Sequence, residues 1–368
     1  MILFIIIYTF LVSFNSFESL ALNVKEKVTP IKLKDKMSVK ELIDEFSNSG
    51  AFNAGKLAKA CKIFERMVQE DSFVALTLAG ALIPAGLGRA IATMVKRGLI
   101  DFIISTGANL YHDIHFALEQ GIFKGVDESE DLKLLEEEKV RIYDICIDYQ
   151  ALLSSDKFVR NSVLNLKGRV SSCEIHYNLG KSLASLVKDP DISLLVQAYL
   201  CDLPIYTPSP GDSSIGMNLA QLRLDDHNLS VDPELDVLET TAIVYKAEKN
   251  GGIILGGGAP KNFYLQTQPM LSQILGLDKK GHDYIIQISV DSPHYGGLSG
   301  ATPSEAITWK KVNPREDENC VVVYSDATIA APLLFSYALE VGLKRELKRL
   351  YSKRKEMLDE LIKNIRKT

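Results

Sequence analysis

The chain of 368 residues lacks most of the features that assign a protein to a class at once. It has no excess of one charge: 42 Lys+Arg stand against 47 Asp+Glu, a formal net charge of −5. That balance excludes a global electrostatic pull toward nucleic acid. Cysteine is sparse. Cys61, Cys146, Cys173, Cys201 and Cys320 are scattered, odd in number and form no CxxC pair. Neither a disulfide framework nor a zinc site follows, and the usage reads as that of a reducing compartment. The G-x-G-x-x-G fingerprint and the G-x-x-x-x-G-K-[ST] loop are both missing. Long apolar runs are also missing after the first few residues, which excludes a multispanning membrane protein. A 46% apolar and 24% charged composition excludes a disordered chain.

The one long apolar run is Met1 to Phe14, MILFIIIYTFLVSF. It is short for a transmembrane helix. It resembles the core of a signal peptide, with small residues at Ser19-Leu20-Ala21, yet no Lys or Arg precedes Lys25. The alternative is a start at Met37, where Ser38 as N-cap and Glu41 three residues later open a helix. On either reading residues 1–36 are an extension outside the fold.

What is present is alternation. Residues 54–70 and 84–97 read as helices; 72–78 (SFVALTL) and 101–106 (DFIIST) read as buried strands. Acidic residues 127–139 read as a solvated helix or loop. Residues 193–200 read as extended and 203–206 as a short strand. Residues 234–249 and 328–342 read as helices, and 252–255, 283–290 and 320–324 as strands. Apolar strands separated by helices argue for a Rossmann-like α/β fold: a doubly wound, mostly parallel sheet with helices on both faces. No composition break divides residues 37–342, which read as one domain. Residues 343–368 read as a basic helix, solvated rather than bound to nucleic acid.

In such sheets ligands sit beyond the carboxyl ends of the strands. The candidate loops are Thr106 to Asn109, Thr207 to Gly216, Gly256 to Lys261, Asp291 to Gly300 and Ser325 to Ala327. Four segments in order carry a resemblance: Gly256-Gly257-Gly258-Ala259-Pro260-Lys261, Gly297 to Ala301, Pro303 to Lys311 (PSEAITWKK) and Tyr324-Ser325-Asp326-Ala327. Together they resemble deoxyhypusine synthase, over roughly Met37 to Lys344. The most specific stretch includes the only tryptophan.

The resemblance implies a homotetramer with active sites between subunits, in the cytoplasm. It implies NAD-dependent transfer of a 4-aminobutyl group from spermidine to an amine acceptor. The acceptor would be a lysine of a translation factor or, in homospermidine-forming relatives, putrescine. It places an imine-forming lysine at Lys311, whose pKa must then be depressed. Trp309 would wall the amine tunnel and Glu305 would pair with a substrate ammonium. Thr106, Gly107, Asp212, Asp326 and Ala327 would meet the cofactor. Gly296 lies in a loop expected to close over the site.

Three positions depart from the family pattern. Asn262 stands where an acid/base histidine is usual, and an amide cannot shuttle protons near neutral pH. Met217, or Asn218 in a register one residue away, stands where a carboxylate grips the polyamine. Leu298 replaces the usual aspartate before Ser-Gly-Ala. Losing carboxylates would leave a buried ammonium unpaired. His294 and Tyr295 are the candidate replacements. The departures fit a branch resembling bacterial members, with small amines such as putrescine or agmatine as acceptors. They also fit a non-catalytic subunit of a mixed oligomer.

Overall fold

The computed structural model describes residues 27–277 and 279–366. The expectations placed on residues 1–26 lie outside the described residues. Ser38 does open a helix: its hydroxyl accepts from the Glu41 amide at 3.2 Å, and Glu41 accepts from the Ser38 amide at 2.9 Å. That reciprocal pairing satisfies two amides a helix start leaves open.

The central sheet has six parallel strands: β1 (Phe73–Leu78), β2 (Phe102–Ser105), β3 (Ile205–Tyr206), β4 (Asn250–Leu255), β5 (Tyr284–Ser289) and β6 (Cys320–Tyr324). Their spatial order is β6-β5-β4-β1-β2-β3. The order reverses between β1 and β4, the arrangement of a doubly wound dinucleotide fold. The helices that flank the sheet or the site include α1 (Val39–Ser49), α2 (Phe52–Gln69), α3 (Gly107–Ala117), α4 (Pro233–Lys246), α5 (Gly258–Pro269), α6 (Pro303–Thr308), α7 (Ala327–Glu340) and α8 (Leu350–Ile365).

Both faces of the sheet are covered, which is why its strands are apolar throughout rather than alternating. Leu76, Leu78, Ile286 and Ile288 pack with α1, α2 and α7. Ala75, Ile254 and Ile285 point the other way, into a second core with Tyr264 of α5 and Leu350 of α8. Small antiparallel strands at Ile122–Lys124, Lys139–Ile142 and Ile145–Asp148 stand apart from this sheet.

Three local expectations are corrected. Residues 193–200 are not extended: Leu194–Leu200 is a helix. Ser193 caps it, and the buried Asp113 carboxylate accepts from the Leu194 and Leu195 amides at 2.8 and 2.9 Å. The helix of 84–97 is regular only over Gly88–Lys96; Ile83–Leu87 is a wider turn, with Gly86 at φ 101°. The C-terminal segment is helical only in α8, and α8 is not simply solvated. It buries Leu350, Met357 and Leu361. Its Arg354 is buried with its Nε 3.2 Å from the Glu239 carboxylate of α4.

Buried histidines set a pH dependence, His176 and His282 among them. Burial holds His176 down to about 4 and His282 down to about 3. Both stay neutral in the folded chain, whereas the unfolded chain protonates them near pH 6.5. Their contribution is therefore complete above about 6.5 and lost as pH falls toward the folded values. Each is expected to remove at most about 1.4 kcal/mol per pH unit in that window. Buried Asp113 and Asp236, raised to about 6 and about 7, act in the opposite sense, so the contribution is read as the difference between wild type and His282→Asn in the urea-midpoint change from pH 7 to pH 5; the same change in both would contradict it.

Candidate active site

The site begins where β4 and β5 end. After β4 the chain turns through Gly256, at φ 79°, and starts α5 at Gly258. Gly257 has no room for a side chain, because a Cβ there would lie 2.4 Å from the Ser299 Cα. This close approach locks the Ser299 segment onto the head of α5. The Gly258 amide donates to Ser299 Oγ at 2.9 Å, and Gln287 of β5 donates to the Ser299 carbonyl at 2.7 Å.

Lys261, one turn into α5, completes the clamp. It is buried, and its ammonium donates to the Leu298 and Ser299 carbonyls at 3.1 and 3.4 Å, and to that of Ala301. Burial lowers its pKa to about 8. Lys261 was not singled out from sequence, since an isolated lysine is usually solvated. Its place in the Gly-Gly-Gly-Ala-Pro-Lys segment was the available signal. Replacing it with methionine strands three carbonyls, at a cost of roughly 2 kcal/mol. Chymotrypsin cleavage at the exposed Tyr295 is expected to accelerate in Lys261→Met. Unchanged cleavage would argue against the clamp.

Over this platform sits α6. Thr302 caps it, accepting from the Glu305 amide at 3.3 Å, and Pro303 occupies its first turn. The helix stops at Thr308, and Lys310 takes a left-handed backbone, φ 56°. The two adjacent lysines therefore separate. Lys310 is exposed, while Lys311 turns into a pocket of about 180 Å³. The Lys311 backbone is tied to the sheet edge, its carbonyl accepting from the His282 amide at 2.9 Å.

Lys311, Glu305, Asn262 and Trp309 line one pocket, together with Lys261, Gln287 and Leu298. Lys311 Nζ donates to Asn262 Oδ1 at 3.2 Å and lies 5.5 Å from the centre of the Trp309 ring. Burial among apolar groups lowers the Lys311 pKa, and Glu305 opposes this by raising it. An amine so placed is more nucleophilic at neutral pH than a surface lysine.

Other expected residues fall elsewhere. His294, Tyr295 and Gly296 form an exposed turn and do not line this pocket; Tyr295 is 87% exposed. Met217 is also exposed and away from the pocket, and Asn218 is buried against Asp156 at 2.7 Å. Thr106 and Gly107 sit at the head of α3 after β2, and Asp212 lies exposed in the loop after β3. Asp326 and Ala327 start α7 at the opposite edge of the sheet, with the Asp326 carboxylate accepting from the Thr328 amide at 2.7 Å. These five positions are thus spread along the carboxyl edge rather than gathered. Of the helix starts near the strand reversal, α5 has its Gly258 amide bonded to Ser299 Oγ and no N–H at Pro260, whereas α3 carries no side-chain cap. Thr106 instead turns its hydroxyl to the Gly80 carbonyl at 2.9 Å. Uncapped helix amides at a strand reversal suit a pyrophosphate.

Fold and pocket define a doubly wound α/β protein with a partly desolvated lysine at its site. The deoxyhypusine synthase family model matches residues 41–338. A deoxyhypusine synthase-like protein of Nostoc punctiforme is 45% identical over 350 residues, 92% of this chain and 89% of that protein. Probable deoxyhypusine synthase 2 of Methanosarcina acetivorans is 41% identical over 308 residues, 83% and 87% of the two chains. The crystal structure of a candidate deoxyhypusine synthase from Entamoeba histolytica superposes with TM-score 0.56 at 15% identity. It covers 86% of this chain and 100% of that one, and supports the fold. The chain belongs to the deoxyhypusine synthase family. Among the described residues no helix is long and apolar enough to cross a membrane.

Proposed function

We propose that the chain is an NAD-dependent aminobutyl-type transferase that carries the transferred group as an imine on Lys311. The observation that carries this reading is the Lys311 amine itself. Burial lowers its pKa, Asn262 holds it, and an aromatic face lies beside it.

The uncapped start of α3 and the glycine turn at Gly256 fit a dinucleotide pyrophosphate. Thr106, Gly107, Asp212, Asp326 and Ala327 would hold the rest of it. Their spread along the sheet edge suits a site completed between subunits, as in a homotetramer. When bound, the nicotinamide takes a hydride from the donor carbon and later returns it.

The chain's own residues do the transfer. Glu305 pairs with a substrate ammonium, and Trp309 presents its ring to the alkylamine. Lys311 Nζ, as the free amine, adds to the carbon of the donor's C=N bond. The new C–Nζ bond forms as the old C–N bond breaks, and the departing amine leaves with the proton that Nζ gives up. Asn262 orients Nζ but takes no proton, so the proton passes between the two nitrogens. An acceptor amine, small or on a protein lysine, then displaces Nζ by the same exchange. The family's cytosolic setting fits a chain whose Cys61, Cys146, Cys173 and Cys201 are buried and unbridged.

Borohydride added to the full chain with NAD and an amine is expected to fix an alkyl adduct on Lys311. Peptide mass spectrometry locates it. Failure to label with spermidine, putrescine, agmatine and simpler amines would overturn the reading.

A further inference from the structure

Lys311 sits in the link between α6 and β6. On one side its amide donates to the Ala306 carbonyl of α6 at 2.9 Å. On the other, the link runs beside His282, just before β5. The His282 amide donates to the Lys311 carbonyl at 2.9 Å, and the Asn313 amide donates to the His282 carbonyl at 3.0 Å. The two backbones lie so close that a Cβ on Gly281 would be 2.5 Å from the Val312 carbonyl carbon.

The His282 side chain, fully buried, turns the other way and lies under α5. Its Nε2 is 3.3 Å from the Tyr264 carbonyl, and its Nδ1 faces the side-chain amides of Gln268, at 3.4 Å, and Asn250. The ring stacks on that of Tyr264, with centroids 4.0 Å apart and 21° between planes. Burial keeps the imidazole neutral, so it has one N–H to give. A carbonyl only accepts, which puts that N–H on Nε2 and leaves Nδ1 to accept from an amide.

Tyr264 and Gln268 belong to α5, the helix whose Asn262 holds Lys311 Nζ. His282 thus joins the two ends of one hydrogen bond. Its backbone holds the Lys311 backbone, and its ring holds the helix that bears Asn262. These contacts lie within one chain, so they stand whatever a second subunit adds to the site. We propose that His282 is a positioning residue for Lys311, fixing its amine against Asn262 without touching substrate. His282 does not line the pocket and supplies no proton there. Its effect on transfer rests on the transferase reading, whereas the placement of the amine does not.

The test compares the full chain with His282→Phe, His282→Gln and Gly281→Ala, each checked for folding by urea titration. Phenylalanine keeps a ring against Tyr264 but donates nothing; glutamine carries an N–H near the place of Nε2. Gly281→Ala pushes the Lys311 link off the sheet and leaves the imidazole in place, which keeps the test open if His282→Phe does not fold. The first readout is the pH midpoint for acetylation of Lys311 by trace acetic anhydride, located by peptide mass spectrometry. Among the described residues Glu305 and Lys261 are the charged groups that share the pocket with Lys311, and every variant retains both. A freed Lys311 moves toward water. Its midpoint should therefore rise toward that of an ordinary lysine in His282→Phe and Gly281→Ala, and stay near the wild-type value in His282→Gln. The second readout is kcat and KM with NAD and spermidine. His282→Phe should lower kcat by about 10²-fold, the scale of a misplacement of about 1 Å, with KM held within about twofold. His282→Gln should recover most of that loss. An unchanged Lys311 midpoint in folded His282→Phe or Gly281→Ala would overturn the inference, even where the wild type turns over spermidine. A raised midpoint, with no turnover of any amine by the wild type, would overturn the transferase reading and leave the inference standing.

Discussion

Lys311→Ala is expected to lower amine transfer by at least about 10³-fold while leaving the fold intact. The side chain is only partly buried and makes one hydrogen bond, to Asn262, so its truncation should change stability by about 0.5 kcal/mol or less. Lys311→Arg should fail equally. A guanidinium remains protonated in proteins and offers no free amine. Single-turnover trapping with borohydride, next to urea titrations of the same samples, separates the two effects. Residual labelling elsewhere at the wild-type rate would exclude Lys311 as carrier. Glu305→Gln should lower the Lys311 pKa further, because Glu305 raises it. The pH at which labelling begins would move down even as substrate binding weakens.

Arg345→Met is expected to cost about 3–5 kcal/mol in stability, the range for removing one partner of a buried ion pair. Arg345 follows α7 and reaches under the sheet. Its guanidinium meets the Asp101 carboxylate at 2.7 Å and donates to the Gly98 carbonyl at 2.9 Å. Asp101 also accepts from the Val74 amide at 2.8 Å, so it fastens β1 at the start of β2. Gly98 is at φ 69°, and a Cβ there would lie 2.4 Å from the Arg345 carbonyl oxygen. Without the guanidinium, burial pushes the Asp101 pKa up further, and the carboxyl must either carry an unpaired charge or take up a proton in a place closed to water. The double variant Asp101→Asn with Arg345→Met should therefore recover part of the loss. Additive losses in the two single variants and the double would refute the coupling.

The fold was legible where residue type alone decides the local state. Runs such as FVALTL and YIIQIS are β-branched and apolar on both sides, and each forms a strand of the central sheet. It was not legible where a distant group decides. Residues 194–200 become a helix because Asp113, some 80 positions earlier in the chain, accepts from two of their amides. The residue types of α8 looked solvated, yet Leu350, Met357 and Leu361 share a face that finds α4 only in the folded chain. Within the site, Lys311, Glu305, Trp309 and Asn262, named by the resemblance rather than by spacing, line one pocket. The role of Lys261 was not legible, although its segment was, because the carbonyl oxygens that hold its ammonium have no sequence signature. The exposed turn at His294 and Tyr295 shows the reverse case: polar residues close in sequence to the site but turned away from it.

The left-handed Lys310 has a further consequence. Trp309 forms a partition with a cavity on each side, and the two lysines hang on opposite sides of it. Neighbourhood in sequence therefore confers no redundancy. If Lys311 is lost, the ammonium next to it cannot swing across, because that would require reversing the handedness of the chain at position 310 and passing the indole. On the proposed mechanism the doubled lysine is one reactive amine and one bystander, kept apart by the chirality of a single residue.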